Sequence, residues 1–127
     1  MSIKADVGLV LTHSGGHPVM IVSDYPAHGD DLVIMVNFTY YTNVQDAHIL
    51  FHKGYRLSGG YAFDKDSTVH PDVAKCTRSQ AETVILACNN HGHASQIDID
   101  KVRKLVAVNS AKIKDADVRS HVQSLGW

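Results

Sequence analysis

Short apolar runs rich in β-branched residues, each closed by a turn cluster, constrain this chain more than any other feature. Val7 to Leu11 and Val19 to Val22 are two such runs, separated by Thr12-His13-Ser14-Gly15-Gly16. Runs this short, bounded by Gly and Ser, predict strands, since a helix needs about ten periodic positions to bury a face. Tyr25-Pro26-Ala27-His28-Gly29-Asp30 predicts a second turn. Leu32 to Val36 predicts a third strand, central because it is apolar on both faces. The polar and aromatic cluster Asn37-Phe38-Thr39-Tyr40-Tyr41-Thr42-Asn43 ends it. Ala47 to Phe51 and Thr83 to Ala87 predict two more strands, with Gly59-Gly60 as the strongest breaker between them.

The pattern then changes. Asp98 predicts the cap of a helix over Ile99 to about Val108, and Asp115 the cap of a last helix. In that last helix Val118, Val122 and Leu125 fall on one face, and Gly126 marks the stop. Strands first and helices last predict an α+β class, with the strands forming a small antiparallel barrel.

Residues 1–127 are long enough to form one domain with its own core. A hydrophobic fraction of 44% with 20% charged residues argues against disorder. The formal net charge of -1 speaks against a duplex-DNA binder, which needs a basic excess to neutralise phosphates. Cys76 and Cys88 are too few for a disulfide framework. Neither a signal-peptide core nor a membrane-length apolar run occurs, so a cytoplasmic location with no membrane contact is expected.

Two polar segments stand out. Gly16-His17-Pro18 leads into the Val19 strand; proline suits a first strand position, and His17 can carry a proton near neutral pH. The same tripeptide also reads as a plain exposed turn. Asp64-Lys65-Asp66-Ser67-Thr68-Val69-His70-Pro71-Asp72 packs a cation, hydroxyls, an imidazole and carboxylates together. If residues 65–69 are extended, Lys65 and Ser67 share one face and could hold a phosphate, with Thr68 and His70 on the other. Asp72 could orient His70, although the segment also reads as a solvated strand edge. Asn37, Thr39, Tyr40 and Tyr41 could stack on or hydrogen-bond a base at a strand end, although aromatics there also read as core or rim packing. Cys88, His91 and His93 offer three zinc ligands in one cluster, without the second cluster that zinc sites show, and the stretch also reads as a plain polar turn after a strand, so no metal and no cofactor are expected.

The order of these pieces resembles the MazF/PemK (Kid-type) toxin family and an uncharacterised group of PemK-like proteins. The likeness is carried by Val7 to Leu11, by Ser14-Gly15-Gly16-His17-Pro18 followed by Val19-Met20-Ile21-Val22-Ser23, and by Lys65-Asp66-Ser67-Thr68-Val69-His70-Pro71-Asp72. It touches about two-thirds of the chain. The resemblance implies a small SH3-like barrel with terminal helices, a homodimer, an antitoxin protein partner and cleavage of single-stranded RNA. The chain departs where the family has arginine before proline and two positions before the aspartate; here those positions are His17 and His70. Arginine stabilises phosphorane charge at any pH, and a neutral imidazole does not.

The expected function is therefore a metal-independent endoribonuclease or RNA-binding protein, with attack of a ribose 2′-hydroxyl on the adjacent phosphate. His17 and His70 form the expected acid/base pair, Asp72 orients His70, and Lys65 and Ser67 hold the phosphate, with Asn37 and Thr39 contacting the RNA. Two imidazoles imply a bell-shaped pH dependence centred at about 6 to 7. The alternative expectation is a non-catalytic PemK-like module that binds a protein partner or forms a dimer.

Overall fold

In the computed structural model, which describes residues 6–13, 18–27, 30–41, 50–57, 61–85 and 88–127, the chain is α+β with a six-stranded antiparallel sheet. The strands β1 (Leu9–His13), β2 (Pro18–Ala27) and β3 (Asp30–Tyr40) form a meander. Then come β4 (Ser67–Val69), β5 (Ala74–Thr77), α1 (Arg78–Ile85), β6 (Cys88–His93), α2 (Gln96–Val108), a 3₁₀ turn at Ser110–Lys112 and α3 (Ala116–Ser124). The strand order is β4-β3-β2-β1-β6. β3 divides its free edge: Leu32 to Met35 pair with β5, and Phe38 to Tyr40 with β4.

The sheet is apolar on both sides because helices cover both sides. Val10, Met20, Val22, Ile34, Val36 and Phe38 point into the main core, which is closed by Ile99, Val102 and Val106 of α2 and Val118 and Val122 of α3. Their neighbours Leu9, Leu11, Ile21 and Val33 form a smaller core under Ala81 of α1. Period-2 alternation thus sorts one sequence into two cores. No helix among the described residues is long and apolar enough to cross a membrane.

Several boundaries differ from the sequence reading. β2 continues through the expected turn to Ala27 and β3 begins at Asp30. The expected strand at residues 83–87 is the end of a helix instead, its last two positions lying outside the described residues. Thr77 and Gln80 explain this. The Gln80 N–H donates to Thr77 Oγ1 (3.0 Å) and the Thr77 N–H to Gln80 Oε1 (3.1 Å), a reciprocal cap that starts α1. In α2 the cap is Ser95, whose Oγ accepts from the Asp98 N–H at 3.3 Å; Asp98 sits in the first turn and accepts the Tyr55 hydroxyl at 2.6 Å. Asp115 caps α3 as expected, but Leu125 is 38% exposed while Val118 and Val122 are buried. Of the expected strand at residues 47–51 only Leu50 and Phe51 are described, and Phe51 bridges to Ser67.

Gly8, just before β1, is tied to Ala94, just after β6. It has φ +94°, a conformation that side chains disfavour, and its carbonyl accepts from the Ala94 N–H at 2.8 Å. A Cβ there would lie 2.8 Å from Ile99 Cδ1. Gly8→Ala is expected to cost about 1–3 kcal/mol, mostly from backbone strain because the Ile99 tip can move. Urea unfolding would show it as a lowered midpoint with unchanged slope.

Candidate functional site

The site begins with a register shift between β1 and β6. Leu9 faces His93 but Leu11 faces Asn90, so β6 carries one extra residue at His91 and Gly92. Gly92, at φ +78°, supplies the backbone conformation this bulge uses. The consequence is a contact across the strands: His91 Nε2 lies 2.7 Å from Thr12 Oγ1. Which atom donates follows from the imidazole tautomer.

Other groups gather on the same rim. The Tyr61 ring stands edge-on to His91 with centroids 5.1 Å apart. Tyr40, at the end of β3, donates its hydroxyl to Asp64 Oδ2 at 3.3 Å, and Lys65 Nζ lies 4.7 Å from the centre of the Tyr40 ring. Burial holds the His91 pKa below its ordinary value, so the imidazole is neutral at pH 7. The Tyr61 phenol is pushed up by burial, then by Asp64 and Tyr40. The Tyr40 phenol is also raised, by desolvation first and by Asp64 next. Thr12, His91, Tyr61, Asp64, Tyr40 and Lys65 therefore form a chain of neighbours that offers a neutral imidazole, two protonated phenols, a carboxylate and an ammonium. That set can move a proton and bind an anion.

No family model, curated protein or solved structure matches this chain.

The residues singled out from sequence divide into two groups. Lys65 belongs to the rim just described, through Tyr40. Asn37 and Thr39 alternate with Phe38 and Tyr40 along β3, so they lie on the other face of the sheet. His70 is beside Asn37, its main-chain N–H donating to the Asn37 carbonyl at 2.7 Å. Its ring is exposed, and Nδ1 accepts from the main-chain N–H of Asp72 at 3.2 Å, which puts the proton of a neutral ring on Nε2. The Asp72 carboxylate accepts from the Lys114 N–H at 3.0 Å, tying this turn to the start of α3. Ser67 is 3% exposed, and its hydroxyl donates to the Lys65 carbonyl at 2.8 Å. Thr68 is buried as well, so β4 has no solvent-facing hydroxyl row. His17 lies outside the described residues, as does the side chain of Cys88. Among the described residues no three His, Cys, Asp or Glu side chains converge to hold a metal.

In sequence His91 reads as a metal ligand or a turn residue, and nothing there marks Tyr61. The local signal is glycine directly after histidine in a strand, which marks a bulge.

Proposed function

We propose that this chain is a MazF/PemK-type domain, a small SH3-like barrel, that cleaves single-stranded RNA through the rim around His91. The meander of β1 to β3, the sharing of the β3 edge by β4 and β5, the terminal helices and a bulge at Val22 that helps β2 coil all support the barrel reading. The observation that carries the chemistry is the neutral His91 imidazole held on Thr12 and faced by the protonated Tyr61 phenol.

On this reading Thr12 takes the Nε2–H and leaves Nδ1 as the basic nitrogen. That nitrogen removes the proton of a ribose 2′-hydroxyl. The 2′-oxygen then bonds to phosphorus, the bond from phosphorus to the 5′-oxygen breaks, and the Tyr61 phenol protonates the leaving oxygen. Lys65 offsets the charge that builds on the non-bridging oxygens. The products are a 2′,3′-cyclic phosphate and a free 5′-hydroxyl. The partners of this reading are single-stranded RNA, a small antitoxin protein and a second copy of the chain.

A second reading, a non-catalytic module for a protein partner or a dimer, draws support from β6. That strand stands at one end of the sheet order, and an end strand offers main-chain groups to another strand.

Cleavage of an end-labelled RNA oligonucleotide separates the two. Expected are cyclic-phosphate products, full activity in the presence of a chelator, and no cleavage of an all-deoxy strand that lacks the nucleophile. Absence of RNA cleavage by the wild type would leave the module reading, and cleavage of the deoxy strand would discard the 2′-hydroxyl mechanism.

A further inference from the structure

A second polar and aromatic site lies along α2. A cleft of about 300 Å³ is lined by Asp100, Arg103 and Lys104 of α2 and by Trp127. That volume is at the lower end of the range for small-ligand sites, about 300–1,000 Å³. Its geometry is braced from the sheet. The extra residue of β2 is Val22, which the ladder skips between Ile21 and Ser23. Its carbonyl accepts from Arg103 Nε at 2.9 Å, and the guanidinium carbon then stands 5.2 Å from the centre of the Trp127 ring. Trp127 packs against the main core, so the indole is seated rather than free to swing. Asp100 is engaged by Gln96, whose Nε2 donates to Oδ1 at 2.8 Å. Lys104 is exposed. One turn earlier Lys101 is also exposed, its Nζ 5.2 Å from the centre of the Tyr55 ring.

The middle of α2 thus carries two cation–aromatic pairs on different sides, Lys101 with Tyr55 and Arg103 with Trp127, and Lys104 lines the cleft beside the second. Interleaved cations and aromatic faces are what single-stranded nucleic acids bind, with bases on rings and phosphates on lysine or arginine. We infer that this cleft takes one nucleotide of a single-stranded chain, its base against Trp127 and its phosphate on Lys104. The inference rests on the RNA reading above for the kind of polymer, and assigns it a contact that the cleavage chemistry does not use.

Trp127 is the single tryptophan of the chain, so its fluorescence reports on this cleft alone. The probe is a single-stranded deoxyoligonucleotide, which cannot be cleaved. Saturable quenching is expected, with binding weakened in Lys104→Glu and its salt slope reduced by about 0.7 for the lost phosphate contact. With a dye-labelled strand read by anisotropy, Trp127→Ala is expected to weaken binding by about 5- to 150-fold, the range for losing one stacked base. Lys104 is exposed, so its variant keeps the test decisive if Trp127→Ala fails to fold. Absence of quenching, quenching unchanged by Lys104→Glu, or equal quenching by an acidic peptide would overturn the inference. The two readings fail separately. Quenching without RNA cleavage keeps the cleft and discards the catalytic rim, while cleavage without quenching does the reverse.

Discussion

His91→Ala is expected to lower the rate of RNA cleavage by about 10²–10⁴-fold, the range for losing a positioned general base. The pH profile tests the same residue more sharply. A base acts only when unprotonated, and burial holds His91 below its ordinary value, so the acid limb should fall below about pH 6.5. The Tyr61 phenol is raised above its ordinary value, so it keeps its proton and no falling limb should appear until above about pH 10. The expected profile is a rise to a broad plateau. Two ordinary imidazoles acting as acid and base would instead give a bell near neutrality, so kcat/KM across that range decides between the two mechanisms. A bell, or full activity in His91→Ala, would remove His91 from the chemistry.

Stability should follow the same titration with a definite sign. Because the folded pKa of His91 is depressed, the unfolded chain binds its proton more readily between that pKa and about 6.5. The contribution is fully present above about 6.5 and is lost as pH falls through the window. Thermal unfolding of His91→Ala should therefore lack that part of the acid slope. Asp115 adds a second acid-sensitive element: the Val118 N–H, and next the Lys75 ammonium, hold its carboxylate below the ordinary range. Its contribution is present above about pH 3.9 and disappears below it.

The cap at Asp115 is legible in the sequence because capping is local: one side chain accepts from two N–H groups within three residues. The central strand at Leu32 to Val36 is legible for a related reason, since burial on both faces writes itself into consecutive apolar residues. Residues 83–87 mislead because β-branched composition outweighs the Thr77-x-x-Gln80 spacing that starts a helix just upstream. β4 misleads differently. Alternation places its hydroxyls on two faces, but Leu50 and Phe51 donate to the Ser67 carbonyl and close the edge that would have been solvated. The His91 site is the least legible part. It depends on which residue of β6 faces Thr12, a pairing 79 positions apart that turns on one bulge. Lys65 is visible as a cation in a polar run, but its partner Tyr40 is set by the register of β3 against β4.

Phe51→Ala is expected to be the most damaging single change to the fold, at about 3–5 kcal/mol for a fully buried aromatic. Phe51 is 1% exposed and lies at the centre of an aromatic stack. Phe63 is parallel to it at 4.9 Å, Tyr55 stacks on it at 4.8 Å, and Phe38 is tilted against it at 6.0 Å. The rings are too rigid to collapse into the space a missing phenyl leaves, so the cavity cost adds to the lost burial. Against a total stability of about 5–15 kcal/mol, that loss puts the variant near its unfolding threshold. The damage should also reach the rim. Phe63 touches Tyr61 edge-on at 5.1 Å, and Tyr61 in turn touches His91, so loosening Phe63 releases the phenol from its place beside the imidazole. Urea unfolding of Phe51→Ala and Phe51→Leu, beside cleavage assays on the folded fraction, reads both effects. The alanine variant should lose the larger part of its midpoint and lower kcat more than KM, and the leucine variant should fall between it and wild type. A loss below about 1 kcal/mol in Phe51→Ala would mean that the stack closes over the gap and that the core does not hold the rim in place.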